Sequence, residues 1–214
     1  MKYRSIIFWG IVAATLVVSA AAWDHVPERI DSHWNARGEA DDTMPRFWGL
    51  FLMPIVLAAM TLIALWIPRI DPLKQNIALF RKYYDGFFLM LLLFMSAIHV
   101  FLVLWNTGTK VSPNAILPPA LGALLYATGV LCGATKRNWF VGVRTPWTLS
   151  SDAVWDKTHR RAKPLFKIAG LLSLGGIFLG EYAIFLILAI ILGITFYLVI
   201  YPYVEYRREQ RSGA

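Results

Sequence analysis

Long uninterrupted apolar runs constrain this chain more than any other feature of its sequence. A helix that crosses a bilayer needs about 20 consecutive, mostly apolar residues. Uncharged runs of 19, 22, 24, 25, 13 and 23 residues occur at 5–23, 47–68, 86–109, 111–135, 168–180 and 182–204. Apolar residues are continuous within these runs rather than alternating, which disfavours a membrane β-barrel. We therefore expect an all-α membrane protein built as a bundle of six transmembrane helices.

The fifth run reaches bilayer length only when it is extended back to Pro164. The extension includes Lys167, whose long side chain can reach the headgroup region from a helix end. The composition agrees with a membrane protein, since 16% of residues are charged, against about 25% in soluble domains. The single cysteine, Cys132, excludes an intrachain disulfide and a multi-cysteine metal site. We expect neither a metal nor another cofactor.

The distribution of basic residues predicts the orientation of the bundle. Of the 21 Lys and Arg residues, 17 precede the first run, follow the sixth, or lie within 69–82 and 136–167. Because excess Lys and Arg mark the cytoplasmic face, both termini are predicted to be cytoplasmic in a plasma-membrane protein. Loop 24–46 is then outside and loop 136–163 inside. The net charge of +8 follows from this topology, so we expect membrane lipids as partners and no direct contact with nucleic acid. A cleaved signal peptide ending near Ala22 is the alternative interpretation of the first run.

The predicted outer loop, 24–46, carries six acidic and three basic residues. His33, Trp34 and Asn35 place a titratable ring, an amphipathic indole and a turn-forming amide side by side. We predict that this segment is exposed at the outer surface, where carboxylates attract a cationic or amphipathic peptide and Trp34 supplies contact area.

The predicted inner loop, 136–163, is basic and aromatic. Ser150 or Ser151 suits a helix N-cap, and four residues then share one helical face: Val154, Trp155, Thr158 and Ala162. This pattern predicts a short amphipathic helix on the inner leaflet, with Trp147 and Trp155 at headgroup depth. Alternatively, Asn138, Arg144 and His159 form a polar site that binds neighbouring helix ends or a partner protein. The loop contains no recognisable catalytic arrangement, so we do not expect an enzyme.

Three further features concern the interior of the bundle. Gly129 and Gly133, and likewise Gly176 and Gly180, have the spacing that lets membrane helices approach closely. His99 is the single ionisable side chain well inside a predicted span, which makes it either a candidate functional residue or a neutral imidazole bonded to a neighbouring helix. We divide the chain into an N-terminal membrane half, 1–110, and a C-terminal half, 111–214, of three helices each.

Two loop motifs resemble a known family. The run 138–151 reads NWFVGVRTPWTLSS and is followed by Val154-Trp155 and Thr158-His159-Arg160. This pattern is similar to the signature of the SdpI family. The outer loop, with Pro27-Glu28-Arg29-Ile30 and His33-Trp34-Asn35, resembles the small domain of unknown function that forms the N-terminal half of that family. Asp31-Ser32 stands where a proline-threonine pair is usual.

The resemblance implies a multi-pass plasma-membrane immunity protein that protects bacteria from a secreted, membrane-active peptide toxin. The best-known member of the family also signals, by holding a cytoplasmic transcriptional repressor at the membrane, so the resemblance implies a signalling role as well. The residues predicted to bind the peptide or the partner are His33, Trp34, Asn35, Asn138, Gly142, Arg144, Thr145, Trp147, Trp155, Thr158 and His159. A small transporter or a transporter accessory subunit is the alternative function, and a membrane-embedded enzyme is a third.

Overall fold

The structure is a computed structural model that describes residues 2–212, which form helices, one β-hairpin and the loops between them. The helices are α1 (Lys2–Ala22), α2 (Arg46–Ile70), α3 (Lys74–Leu79), α4 (Arg81–Asn106), α5 (Pro113–Cys132), α6 (Pro146–Ser150), α7 (Asp152–Leu174) and α8 (Ala183–Ser212). The strands are β1 (Arg29–Trp34) and β2 (Ala40–Pro45), which pair antiparallel. Short 3₁₀ turns occupy Trp23–His25, Gly175–Phe178 and Gly180–Tyr182.

Within residues 2–212, five segments are long and apolar enough to cross a membrane: Tyr3–His25, Arg46–Ile70, Arg81–Asn106, Pro113–Cys132 and Gly180–Ser212. They confirm the predicted all-α membrane class. The count of six crossings stays a prediction, because α7 is not among these five segments. We call the end of the bundle that carries β1 and β2 the hairpin end, and the end that carries the loop 133–151 the basic end.

Helix α7 differs from the prediction of a short, separate interfacial helix. It runs unbroken from Asp152 to Leu174 and continues through Pro164, where the sequence predicted a helix boundary. Its predicted apolar face is confirmed, since Val154, Trp155, Thr158 and Ala162 are fully buried. That face packs on protein rather than on lipid, so the prediction of an independent helix lying on the inner leaflet is wrong. Packing against α5 along the length of α7 overrides the local effect of the proline.

Close contact between α5 and α7 depends on glycine. A Cβ atom added at Gly122 would lie 2.7 Å from the carbonyl oxygen of Gly170, and one added at Gly170 would lie 2.6 Å from that of Gly122. A Cβ at Gly129 would lie 2.8 Å from the carbonyl oxygen of Lys163. The predicted role of Gly129 in close approach therefore fits the structure, whereas Gly180 has open space around it. The Gly122–Gly170 contact was not predicted, since the two glycines are far apart in sequence.

Helices α1, α2 and α4 share an apolar core that is separate from the contact between α5 and α7. Phe8 and Val12 of α1, Leu57 of α2, and Tyr84 and Leu92 of α4 are buried together there. Near the hairpin end a second cluster joins Ile30 of β1 to Leu50 of α2. A Cβ atom at Gly49 would overlap Cδ1 of Ile30, so the glycine provides the room that lets β1 rest on α2.

We expect Gly170→Ala to destabilise the protein by about 1–3 kcal/mol, because the new methyl group overpacks the α5–α7 contact. Gly193→Ala is the matched control, since it lies in α8 with nothing within 4 Å of an added Cβ. Alanine should be neutral or slightly stabilising there. Thermal unfolding of the purified variants in detergent measures both effects. Equal melting temperatures for the two variants would contradict the close approach of α5 and α7.

Candidate functional site

The hairpin is fastened to the bundle by the last residue of α4. The Asn106 side chain accepts a hydrogen bond from the backbone N–H of Asp31 (2.8 Å) through Oδ1 and donates one to the Asp31 carbonyl (3.0 Å) through Nδ2. The amide thus pairs with β1 as a neighbouring strand would. A proline at position 31 would have no N–H and would lose the first of these bonds.

The Asp31 carboxylate adds a second attachment to the same helix end. Its Oδ2 accepts a hydrogen bond from the indole N–H of Trp105 (2.7 Å) and lies 3.6 Å from Nζ of Lys110. The Lys110 ammonium also lies 4.4 Å from the centre of the Trp105 ring. These contacts combine a charge-assisted hydrogen bond with a cation–π contact. Asp31, Asn106, Trp105 and Lys110 were not predicted as site residues.

The turn of the hairpin is organised by Asn35. Its Oδ1 accepts hydrogen bonds from the backbone N–H groups of Arg37 (2.9 Å) and Glu39 (3.1 Å), and Gly38 adopts φ +80°. The Asn35 side-chain amide and the Arg37 guanidinium both donate to the Glu39 carboxylate, which lowers the pKa of Glu39. Asn35 therefore stabilises the turn. The turn also contacts the start of α5, where the Asn114 side chain donates to the Ala36 carbonyl at 3.0 Å.

The three residues predicted for peptide recognition come together at one cleft. His33, Trp34 and Asn35 line a space of about 450 Å³ between the hairpin, α4, α5 and the start of α8. Ile98, Phe101, Leu117 and Ile184 supply its apolar walls. His33 is exposed and its Nδ1 lies 2.6 Å from Oδ1 of Asp41. We call this space the hairpin cleft.

Trp34 is more buried than the sequence predicted. Its ring packs edge-to-face on Phe101 at 4.8 Å and on Trp105 at 5.4 Å, and its indole N–H is buried with no hydrogen-bond partner among the described residues. The expectation of a freely exposed indole is therefore wrong. The hairpin folds down onto α4, so one face of the indole becomes part of the protein interior.

At the basic end, Asn138 holds the loop together. It is fully buried, and its Oδ1 accepts from the N–H groups of Phe140 (2.9 Å) and Val141 (2.8 Å). Its Nδ2 donates to the carbonyls of Lys136 (2.8 Å) and Val141 (2.9 Å). Because a buried amide that satisfies its neighbours' backbone groups is costly to replace, Asn138 acts as a structural residue of the loop.

The rings of Trp155 and His159 on α7 pack directly beneath this loop. The two rings stack at 4.1 Å, and the Trp155 indole N–H donates to the Thr135 carbonyl at 3.2 Å. His159 Nε2 accepts from the Val143 N–H at 2.9 Å, so Nδ1 carries the proton and donates to the Trp155 carbonyl at 2.9 Å. Burial lowers the pKa of His159 to about 4. The imidazole is thus a neutral structural group.

Gly142 lets the loop lie directly against the rings of Trp155 and His159. It adopts φ +112°, and an added Cβ would lie 2.5 Å from His159 Nε2. Thr145 and Thr148 then form a reciprocal capping box at the start of α6. Thr158 is fully buried below, and Trp147 packs on Tyr203 of α8 at 5.1 Å. The contact with Tyr203 places the Trp147 ring on α8.

Eight of the predicted binding residues lie at the basic end. Of these eight, Arg144 alone is exposed. Its Nη1 donates to the Trp139 carbonyl at 2.8 Å, and Trp139 is itself half exposed. The predicted polar site of Asn138, Arg144 and His159 is therefore divided. Asn138 and His159 are buried in the loop, and Arg144 with Trp139 faces outward.

Residues outside the motif anchor the loop to the first half of the chain. Buried Asp71 accepts from the Trp139 N–H (3.0 Å), and the Asn76 side chain donates to the Arg137 carbonyl (2.7 Å). At the other side, the Ser151 hydroxyl donates to Glu209 of α8 (3.0 Å). Asp71 lies three residues after the apolar run 47–68, and an acidic residue so close to the end of a span could have indicated its role. Within residues 2–212, no three His, Cys, Asp or Glu side chains are grouped as metal ligands.

These features define a multi-pass, all-α membrane protein with a β-hairpin at one end and a basic, tightly bonded loop at the other. Residues 134–203 match the SdpI/YfhL protein family, and residues 10–58 match a domain of unknown function, DUF1648. The chain is 24% identical over 190 residues to the immunity protein SdpI of Bacillus subtilis strain 168. The aligned region covers 88% of this chain and 89% of that protein. No solved structure matches. These matches confirm the resemblance to the SdpI family that the loop motifs predicted.

The pKa of His159 predicts how stability depends on pH. In the unfolded chain the imidazole titrates near pH 6.5, whereas in the folded protein its pKa is lowered to about 4. Between these values the unfolded state binds the extra proton. The neutral His159 imidazole therefore contributes fully to the free energy of unfolding above about pH 6.5. This contribution is lost as the pH falls toward 4, by up to about 3 kcal/mol.

Thermal unfolding from pH 7.5 to 4.5 measures this effect against His159→Gln, which removes the titrating ring. We expect wild-type protein to lose more stability across this range than the variant loses. If the variant does not fold, an NMR titration of the His159 ring in the wild-type protein gives the pKa directly. A ring that protonates near pH 6.5 would contradict the buried, neutral imidazole.

Proposed function

We propose that this protein gives resistance to a secreted, membrane-active peptide by binding it at the hairpin cleft, without catalysis. The observation that carries the proposal is the meeting of His33, Trp34 and Asn35 at one cleft of about 450 Å³. The similarity to the immunity protein SdpI supports the biological role. Mixed apolar and polar walls suit a peptide that has an apolar face and polar ends.

Charge at the hairpin end favours a cationic peptide. Asp24, Glu28 and Asp42 are exposed and, among residues 2–212, have no ion-pair partner. Their field raises the local concentration of cations near the cleft and speeds association at low ionic strength. The Glu39 carboxylate is already paired with Arg37 at 3.0 Å, so it contributes less to this attraction.

The hairpin end faces outward and the basic end faces the cytoplasm in this proposal. Its support is the excess of Lys and Arg at the basic end and at both termini. Residues 1–110 then form the half that carries the hairpin, and residues 111–214 the half that carries the basic loop and adds Leu117 and Ile184 to the cleft wall. A peptide that arrives from outside meets the hairpin cleft first.

The exposed pair Trp139 and Arg144 is the proposed contact for a cytoplasmic regulator. An aromatic ring beside a guanidinium is a combination enriched at the centres of protein interfaces. The buried residues of the loop hold that pair in place rather than touch the partner. Arg144→Ala should weaken capture of a regulator while leaving resistance to the peptide intact.

The orientation is tested with single cysteines in a Cys132→Ser background. Arg37→Cys lies in the exposed hairpin turn and Ala153→Cys on the exposed side of α7. An impermeant thiol reagent added to intact cells should label position 37 and leave position 153 unlabelled until the cells are permeabilised. Labelling of position 153 alone in intact cells would reverse the proposed topology.

Survival of sensitive cells exposed to the purified peptide toxin tests the site. Ala36 lines the hairpin cleft, so Ala36→Trp should obstruct it and lower protection while the protein stays abundant in the membrane. Ala21→Trp is the matched control, since Ala21 lies on the exposed side of α1 near the same end. Full protection by abundant Ala36→Trp protein would contradict peptide binding at the hairpin cleft.

A further inference from the structure

A second cavity lies on the other side of Trp34 from the hairpin cleft. It measures about 270 Å³ and lies between α2 and α4, beneath the hairpin. Met44, Met53, Val56, Met95 and Leu102 supply most of its apolar lining. Trp34 lines both spaces, as do Ser32 and Ile98, so these three residues lie between them. We call this space the α2–α4 cavity.

His99 is the buried ionisable residue of this cavity, and its proton can be placed from its neighbours. The Ser19 hydroxyl lies 2.7 Å from the Leu50 carbonyl and 3.0 Å from the Thr15 carbonyl, so its single proton is used on one of them. Because the Leu50 carbonyl is the nearest acceptor, we assign the Ser19 proton to it, and Ser19 then accepts from His99 Nε2, which lies 2.9 Å away. His99 Nδ1 is then an unprotonated acceptor.

Two residues that line the cavity each carry a buried polar atom that lacks a partner among the described residues. His99 is 1% exposed and its Nδ1 has no hydrogen-bond partner, and the Trp34 indole N–H is also buried and unpartnered, within residues 2–212. One group accepts and the other donates. Each unpaired polar group costs about 1–3 kcal/mol when it is buried without a partner. A ligand that supplies one donor and one acceptor would remove both costs.

We propose that the α2–α4 cavity binds an apolar side chain of a peptide together with that residue's own backbone amide groups. A peptide unit carries one N–H donor and one C=O acceptor, which match His99 Nδ1 and the Trp34 N–H. A hydrocarbon lipid tail fills the same space but leaves both groups unpaired. The volume is sufficient, since a cavity of about 150 Å³ accommodates benzene.

The cavity is accessible from the flank of the bundle. Trp48 and Leu52 of α2 line it, and both are about half exposed. A peptide already dissolved in the bilayer reaches the cavity sideways, whereas the hairpin cleft opens at the end of the bundle. The inference rests on the proposed function for the origin of the peptide, and it names a second contact that is deeper than the cleft.

The test uses N-acetyl-phenylalaninamide as the probe and the full chain in lipid nanodiscs. The readout is the indole N–H resonance of Trp34, assigned by its loss in Trp34→Phe. We expect a downfield shift that saturates with probe concentration, because the N–H gains an acceptor. Ethylbenzene, which lacks amide groups, should bind at least about tenfold more weakly than the probe. It should cause no downfield shift of this resonance.

Val56→Phe keeps every hydrogen bond and fills the cavity, so it should weaken binding of the probe about tenfold or more. Val17→Phe is the matched control, since Val17 is 67% exposed on α1 and the substitution should not change binding. An unmoved Trp34 resonance, or equal affinity for the amide and ethylbenzene, would overturn the inference.

The two proposals fail separately. Protein that protects cells but gives no shift with the probe contradicts the cavity and leaves the hairpin cleft as the binding site. Protein that binds the probe but gives no resistance to the toxin contradicts the proposed function and leaves the ligand chemistry of the cavity supported.

Discussion

The attachment of β1 to the end of α4 is the interaction on which the hairpin end depends. A two-stranded hairpin is marginally stable by itself in water, and its outer edge presents unpaired backbone groups. Asn106 satisfies both backbone groups of Asp31, and the Asp31 carboxylate binds Trp105. The buried Ile30 side chain adds apolar contact where Gly49 leaves room. Position and stability of the hairpin therefore come from helices distant in sequence.

The attached hairpin creates two neighbouring spaces that differ in chemistry. The hairpin cleft includes the polar side chains of His33 and Asn35 beside apolar walls, whereas the α2–α4 cavity is apolar apart from a few polar groups, notably Trp34 and His99. Trp34 lines both spaces, together with Ser32 and Ile98. A peptide that enters the cleft and one that enters from the bilayer would thus meet at the same indole.

The two ends of the bundle use their polar residues differently. At the basic end, Asn138, Trp155 and His159 are buried and bonded to the loop itself. Each of these side chains forms hydrogen bonds with backbone groups of the loop or its neighbours. At the hairpin end the predicted residues line a cleft instead. The motif with the stronger sequence signal is thus mainly structural.

Much of this architecture could be predicted from local patterns. Apolar run length predicted the spanning helices, and Ser151 does cap α7, since its hydroxyl accepts the Val154 N–H. The hairpin could not be predicted, because its strands are short and mixed in polarity and depend on Asn106 and Gly49. The burial of Trp34 escaped prediction for the same reason, since Phe101 and Trp105 lie on α4. The continuity of α7 through Pro164 depends on packing against α5, which no local signal reports.

Cross-linking of bound peptide tests the central claim most directly. A benzophenone amino acid at Ile184 lies on the wall of the hairpin cleft, and one at Ala153 lies on the exposed side of α7 at the opposite end. On irradiation of cells treated with labelled toxin, the account predicts a cross-link from position 184 and none from position 153. A cross-link from position 153 with none from position 184 would contradict peptide binding at the hairpin end.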